Sequence, residues 1–157
     1  MRPDIKNIKP YLHEVDYEDY DVEKAIKWFK KLKPDNSPVL AGCSSIIINN
    51  ILGRNFDWFF DESAEFVIRT IGHIGKRHMK YSTLGIASAI PGLTEEVVNS
   101  GEDAPTYDYL PFFMTDGINS QGLAVTMNVV PAEKGDNSFI KAQGEAIDDL
   151  CLLMIPR

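Results

Sequence analysis

Gly42-Cys43-Ser44-Ser45-Ile46-Ile47-Ile48-Asn49-Asn50-Ile51-Leu52-Gly53-Arg54-Asn55-Phe56-Asp57-Trp58 is the stretch on which the reading of this chain turns. Residues 44–48 are β-rich, and residues 51–58 are apolar with polar residues interleaved. Asn49-Asn50 lies between the two runs, and asparagine tolerates the positive φ that a tight primed turn demands. The stretch therefore predicts a β-hairpin. A hairpin returns the end of its second strand to the start of its first, so Cys43 is expected beside Arg54, Asn55 and Asp57. A thiol, a guanidinium and a carboxylate then converge through local geometry alone.

Upstream, Lys33-Pro34-Asp35-Asn36-Ser37-Pro38 is rich in helix and strand breakers and reads as a linker. Before it, residues 21–32 read as an amphipathic helix, with Asp21 as N-cap and Val22, Ile26, Phe29 and Leu32 along one face. Residues 1–20 are polar and carry three tyrosines among acids, and they read as an arm. The division expected is residues 1–42 as arm, helix and linker, a candidate prosegment, and residues 43–157 as the first half of a larger domain.

Downstream, residues 65–71 and 81–88 read as strands, the second rich in small residues and central in its sheet. Residues 72–80 read as a polar connection. Thr94 is a candidate cap for a short helix. Residues 100–108 read as loop and residues 109–114 as an aromatic, apolar patch. Asp116-Gly117 and Gln121-Gly122 read as turn punctuation before a strand over 123–130, with a closing helix over 143–155. Strands clustered early with helices at the ends predict an α+β fold.

Composition narrows the functional classes. The chain has 157 residues, enough for one domain with a real core. Its net charge of −7, with no basic run, argues against a nucleic-acid surface. Two cysteines, Cys43 and Cys151, are too few for a disulfide scaffold. His13, His73 and His78 are scattered and no Cys-x-x-Cys occurs, so no metal ligand set is expected. The N-terminal residues lack the apolar core of a signal peptide, and no run approaches the length of a membrane span, so a cytoplasmic location is expected. The last residues, Leu150-Cys151-Leu152-Leu153-Met154-Ile155-Pro156-Arg157, are apolar and uncapped. They predict that this is the N-terminal piece of a bigger domain or one half of a split enzyme.

Cys-Ser-Ser at a strand start, followed by Gly-Arg-Asn-Phe-Asp-Trp on the return strand, resembles the N-terminal-nucleophile hydrolases of the choloylglycine hydrolase type. That group includes bile salt hydrolases and penicillin V acylases. A second segment agrees: Asp116-Gly117-Ile118-Asn119-Ser120-Gln121-Gly122-Leu123-Ala124-Val125-Thr126-Met127-Asn128. It resembles the family's Asp-Gly-Met-Asn-Glu-x-Gly-Leu approach to an oxyanion-hole asparagine. The resemblance covers the chain from Cys43 onward. It implies an αββα sandwich of two antiparallel sheets, incomplete in this chain. It also implies hydrolysis of a linear C–N amide in an N-acylated small molecule, with no cofactor and no metal.

Each candidate residue has a plain reading beside the chemical one. A free cysteine is usually a small buried hydrophobe. If the Gly42–Cys43 bond is cleaved, however, Cys43 gains an α-amine whose pKa of about 8 suits it as base for its own thiol. Asp57 either pairs at a strand end or orients that amine. Arg54 either forms a surface ion pair or lowers the Cys43 thiol pKa and faces the substrate carbonyl. Asn128 is an edge asparagine or an oxyanion donor, while Asn119 reads as a turn residue. Trp58, Phe59, Phe60, Phe112, Phe113 and Met114 are core residues or the flanks of an acyl pocket.

The function expected is amide hydrolysis through an acyl-thioester on Cys43. Acyl transfer would use the same residues. The rival reading is a catalytically silent truncated chain or a binding subunit needing a second half. The partners expected are a small-molecule N-acyl amide and either a second copy of the chain in a homo-oligomer or a missing C-terminal half. A cysteine-redox protein lacks a resolving cysteine at suitable spacing.

Overall fold

The computed structural model describes residues 2–29, 42–57, 63–88, 90 and 92–126; for Phe29 and for Gly42, Cys43, Phe56 and Asp57 at the hairpin base the description is of the backbone. In chain order the elements are β1 (Ile5–Lys9), β2 (Leu12–Asp21), α1 (Val22–Phe29), β3 (Gly42–Ile48), β4 (Ile51–Asp57), β5 (Glu65–Ile74) and β6 (Arg77–His78). They continue with β7 (Thr83–Ala87), α2 (Glu95–Ser100), a 3₁₀ segment (Pro105–Phe113), β8 (Met114–Asn119) and β9 (Ala124–Thr126). The class is α+β. The main sheet runs β1-β2-β5-β7-β8-β9, with β6 hairpinned onto β5, and β3 and β4 form a two-stranded sheet of their own.

Residues 5–21 are not an arm. They are two strands of the main sheet, and β2 pairs with β5 in parallel while the neighbouring pairs are antiparallel. The expected purely antiparallel sheet is therefore mixed. The strand signal in β2 is a two-residue period whose inward residues include a histidine, His13, beside Val15, both about 1% exposed. The acids that suggested an arm point outward. Lys6 of β1, Glu14 and Asp16 of β2 and Arg69 of β5 form a cross-strand ladder of ion pairs. Two bounds also change. The expected polar connection over 72–80 contains the end of β5 and its turn into β6, and the expected loop over 100–108 runs into the 3₁₀ segment.

The local signals hold. Asp21 Oδ1 accepts from the Lys24 amide at 2.9 Å, capping α1. The Thr94 hydroxyl accepts from the Val97 amide at the start of α2, and Gly101 ends that helix with φ of 79°. The core lies on one face of the main sheet. Phe66 and Ile68 of β5 and Ala87 of β7 meet Val22 and Ala25 of α1, Val98 of α2, and Tyr107 and Leu110 of the 3₁₀ segment. The opposite face is different. Leu84, Ile86 and Ile118 are each more than 40% exposed there, and register places them side by side on β7 and β8.

Candidate functional site

The hairpin forms as the sequence dictates. Asn49 and Asn50 have φ of 50° and 63°, the left-handed pair of a primed two-residue turn. Seven residue pairs follow from that turn: Ile48 faces Ile51, Ser45 faces Arg54, Ser44 faces Asn55, Cys43 faces Phe56 and Gly42 faces Asp57. Residues directly opposite share a face, and the face alternates along a strand. Positions 43, 45, 54 and 56 therefore share one face, and positions 42, 44, 55 and 57 the other. Arg54 stands two residues along from the Cys43 pair, about 7 Å at the rise of a strand. Asp57 stands opposite the peptide whose cleavage would free the Cys43 amine.

Arg54 ties the hairpin to the main sheet. Its side chain is only 7% exposed, and its Nη1 donates to Oδ2 of Asp116 on β8. Asp116 is itself held in place. Thr126 of β9 donates its hydroxyl to Asp116 Oδ1 at 2.5 Å, and the Thr115 hydroxyl lies 3.1 Å from Oδ2. β8 is laddered on both sides, with Asp116 opposite Ile86 of β7 and Thr126 of β9. A mostly buried guanidinium thus rests on a carboxylate fixed by two strands and two hydroxyls, an arrangement in which a charge-assisted bond is at its strongest.

The segment Asp116-Gly117 is consequently not turn punctuation. It lies inside β8, and the turn comes at its end. There the buried Asn119 side chain accepts from the amides of Gln121 and Leu123 at 2.9 and 3.0 Å, as a turn asparagine does. Asp116 was legible in principle: a lone acid in the apolar run Phe112-Phe113-Met114-Thr115-Asp116-Gly117-Ile118 needs a cationic partner if it is covered.

Other candidates fall elsewhere. Phe112 and Met114 are buried in the core beneath the helices, 8% and 4% exposed, and Met114 pairs with Ala87 on the inner face. Phe113 meets the Trp28 ring edge-on, with centroids 6.2 Å apart. The sheet separates this group from Arg54, so it does not flank the hairpin. Trp58, Phe59, Phe60 and Asn128 lie outside the described residues, as do Cys151, the linker and the expected closing helix.

A cleft of about 460 Å³ opens between α1 and the end of β5, lined by Lys24, Lys27, Trp28, His73 and Tyr109 among others. Its charges pair within the chain, Lys27 with Glu23 and Lys24 with Asp108, and Trp28 stacks on Tyr109 at 3.9 Å. Among the described residues no three His, Cys, Asp or Glu side chains converge as for a metal ion, and no helix is long and apolar enough to cross a membrane. Comparison of the chain with protein-family profiles, with curated proteins and with solved structures finds no match.

Proposed function

We propose that this chain carries the nucleophile of an N-terminal-nucleophile amide hydrolase acting on N-acylated small molecules. The observation that carries the proposal is the Arg54–Asp116 ion pair. It joins the two segments on which the resemblance rests, 62 residues apart in sequence. Hydrolysis of the Gly42–Cys43 bond frees the α-amine of Cys43. That amine takes the thiol proton, and the thiolate attacks the amide carbonyl carbon. Asn128 donates to the oxyanion, and Asp57 orients the α-ammonium. The ammonium proton passes to the departing nitrogen, the amine leaves, and water then releases the acid from the thioester. Arg54, on the same hairpin face as position 43, stabilises the thiolate.

The finer fold proposed is the αββα sandwich. Helices cover one face of the main sheet, and the other carries exposed Leu84, Ile86 and Ile118, a surface suited to a second sheet. The hairpin lies against that side through Arg54.

The test uses the full-length protein and a chromogenic N-acyl amide. N-terminal sequencing should find chains beginning at Cys43. Peptide mass mapping should find the acyl group on Cys43, and Cys43→Ala should abolish both. Undiminished turnover by Cys43→Ala, or an adduct on Cys151 in place of Cys43, overturns the proposal.

A further inference from the structure

We infer that Asp116 is a positioning residue for the Cys43 thiolate, acting by fixing where the charge of Arg54 sits; the inference rests on the function proposed above. The carboxylate touches no reacting atom in that scheme. Its role follows from three contacts: Nη1 of Arg54 and the Thr115 hydroxyl on Oδ2, and the Thr126 hydroxyl on Oδ1.

Coulomb attraction falls with distance, so an arginine stabilises a thiolate only while its charge stays close. Arg54 has a long side chain on a two-stranded hairpin, an element that is marginal by itself. Its backbone therefore fixes its charge poorly. Asp116 is built the other way: a short side chain on a strand paired on both edges, with a hydroxyl at each oxygen. The ion pair transfers the rigidity of the main sheet to the guanidinium. It also ties the hairpin to the sheet face two residue pairs from Cys43.

The carboxylate has a second, opposing effect. As an anion near Cys43 it partly cancels the field of Arg54, which by itself would raise the thiol pKa. The two effects predict opposite signs on removing its charge. Release of Arg54 raises the thiol pKa, whereas loss of a mere neutralising anion lowers it.

The experiment is the pH profile of Cys43 alkylation by iodoacetamide in the full chain, read peptide by peptide so that Cys151 is scored separately. Arg54→Ala should raise the Cys43 midpoint by about one pH unit. Asp116→Asn should raise it nearly as far, Asp116→Glu should restore most of the loss, and the double variant Arg54→Ala/Asp116→Asn should lie slightly below Arg54→Ala, because the opposing anion is gone as well. Thr126→Val loosens the carboxylate without changing charge and should give a smaller rise of the same sign. It decides the matter if Asp116→Asn does not fold.

An unchanged or lowered midpoint in Asp116→Asn, or in Thr126→Val where only that variant folds, overturns the positioning role while leaving Arg54 in place. An unchanged midpoint in Arg54→Ala removes the role of Arg54 in the proposed function, and the inference with it.

Discussion

His13 and Glu95 show how one buried polar side chain is accommodated. His13 is 1% exposed in β2, its ring lies against Phe66 with centroids 5.4 Å apart, and its Nε2 is 2.8 Å from Glu95 Oε2 at the start of α2. Burial pushes the Glu95 carboxyl up. Hydrogen bonds from His13, Asn99 and the Tyr11 backbone, with the histidine charge, outweigh it and hold the carboxyl below its ordinary value of 4.5. A depressed carboxyl stabilises the fold fully above its unfolded value, and that stability is lost as pH falls through the folded value. Glu95→Gln should therefore lower the melting temperature at neutral pH and flatten its decline below pH 4.5. Thermal melts from neutral pH down through the carboxylate range check this; a variant curve parallel to the parent's would remove the role. Neither partner is conspicuous in sequence, because the pair joins residues 82 apart.

At the scale of elements, the close approach of β2 and β5 is set by glycine. Tyr20 pairs with Gly72 after an irregularity in the register. A Cβ on Gly72 would press into the Tyr20 carbonyl oxygen, a backbone atom that cannot swing aside. Gly72→Ala is expected to cost about 1–3 kcal/mol, the range for overpacking. Gly53 in the hairpin is the control: the nearest atom to its would-be Cβ is Ile46 Cγ2 at 3.4 Å, an ordinary contact, so Gly53→Ala should change stability by less than about 0.5 kcal/mol. Denaturant unfolding measures both. Equal, small effects would mean that β2 is not held against β5 as described. The hairpin turn and the caps of α1 and α2 were readable because their chemistry is complete within a few residues.

Across the whole molecule, the two faces of the main sheet divide its roles. One is the covered core. The other splits again: an ion ladder over β1, β2 and β5, and exposed isoleucine and leucine over β7 and β8. The apolar half adjoins Asp116, where Arg54 brings the hairpin down. If a second sheet covers this half, as the proposed sandwich requires, Ile86→Lys buries an ammonium and should cost about 2 kcal/mol or more. Ile8→Lys, at a 48% exposed site on the edge strand β1, should cost less than about 0.5 kcal/mol. Melting of the full-length protein compares them. An equally small cost at Ile86 would mean that water, not protein, covers the face, and the sandwich would fall.

What the sequence determined by itself is local: the hairpin with Cys43 at its base, the Asn49-Asn50 turn, the Asp21 and Thr94 caps, the strands β5 and β7, and the Asn119 turn. The turns and caps depend on φ preferences or on hydrogen bonds spanning about four residues, and the strands show in β-rich residue types along one segment, so the residue types suffice. What only the tertiary structure decided is long-range. β2 became a parallel partner of β5 because its inward residues complete the core and its acids meet Lys6 and Arg69, a pairing no single segment reveals. Phe112 and Met114 went beneath the helices because, among the described residues, these cover that face of the sheet, and their apolar character is the same on either side. Arg54 found Asp116 because strand order carries β8 under the hairpin. A guanidinium and a carboxylate 62 residues apart bear no local mark of each other, and only the folded sheet supplies the distance.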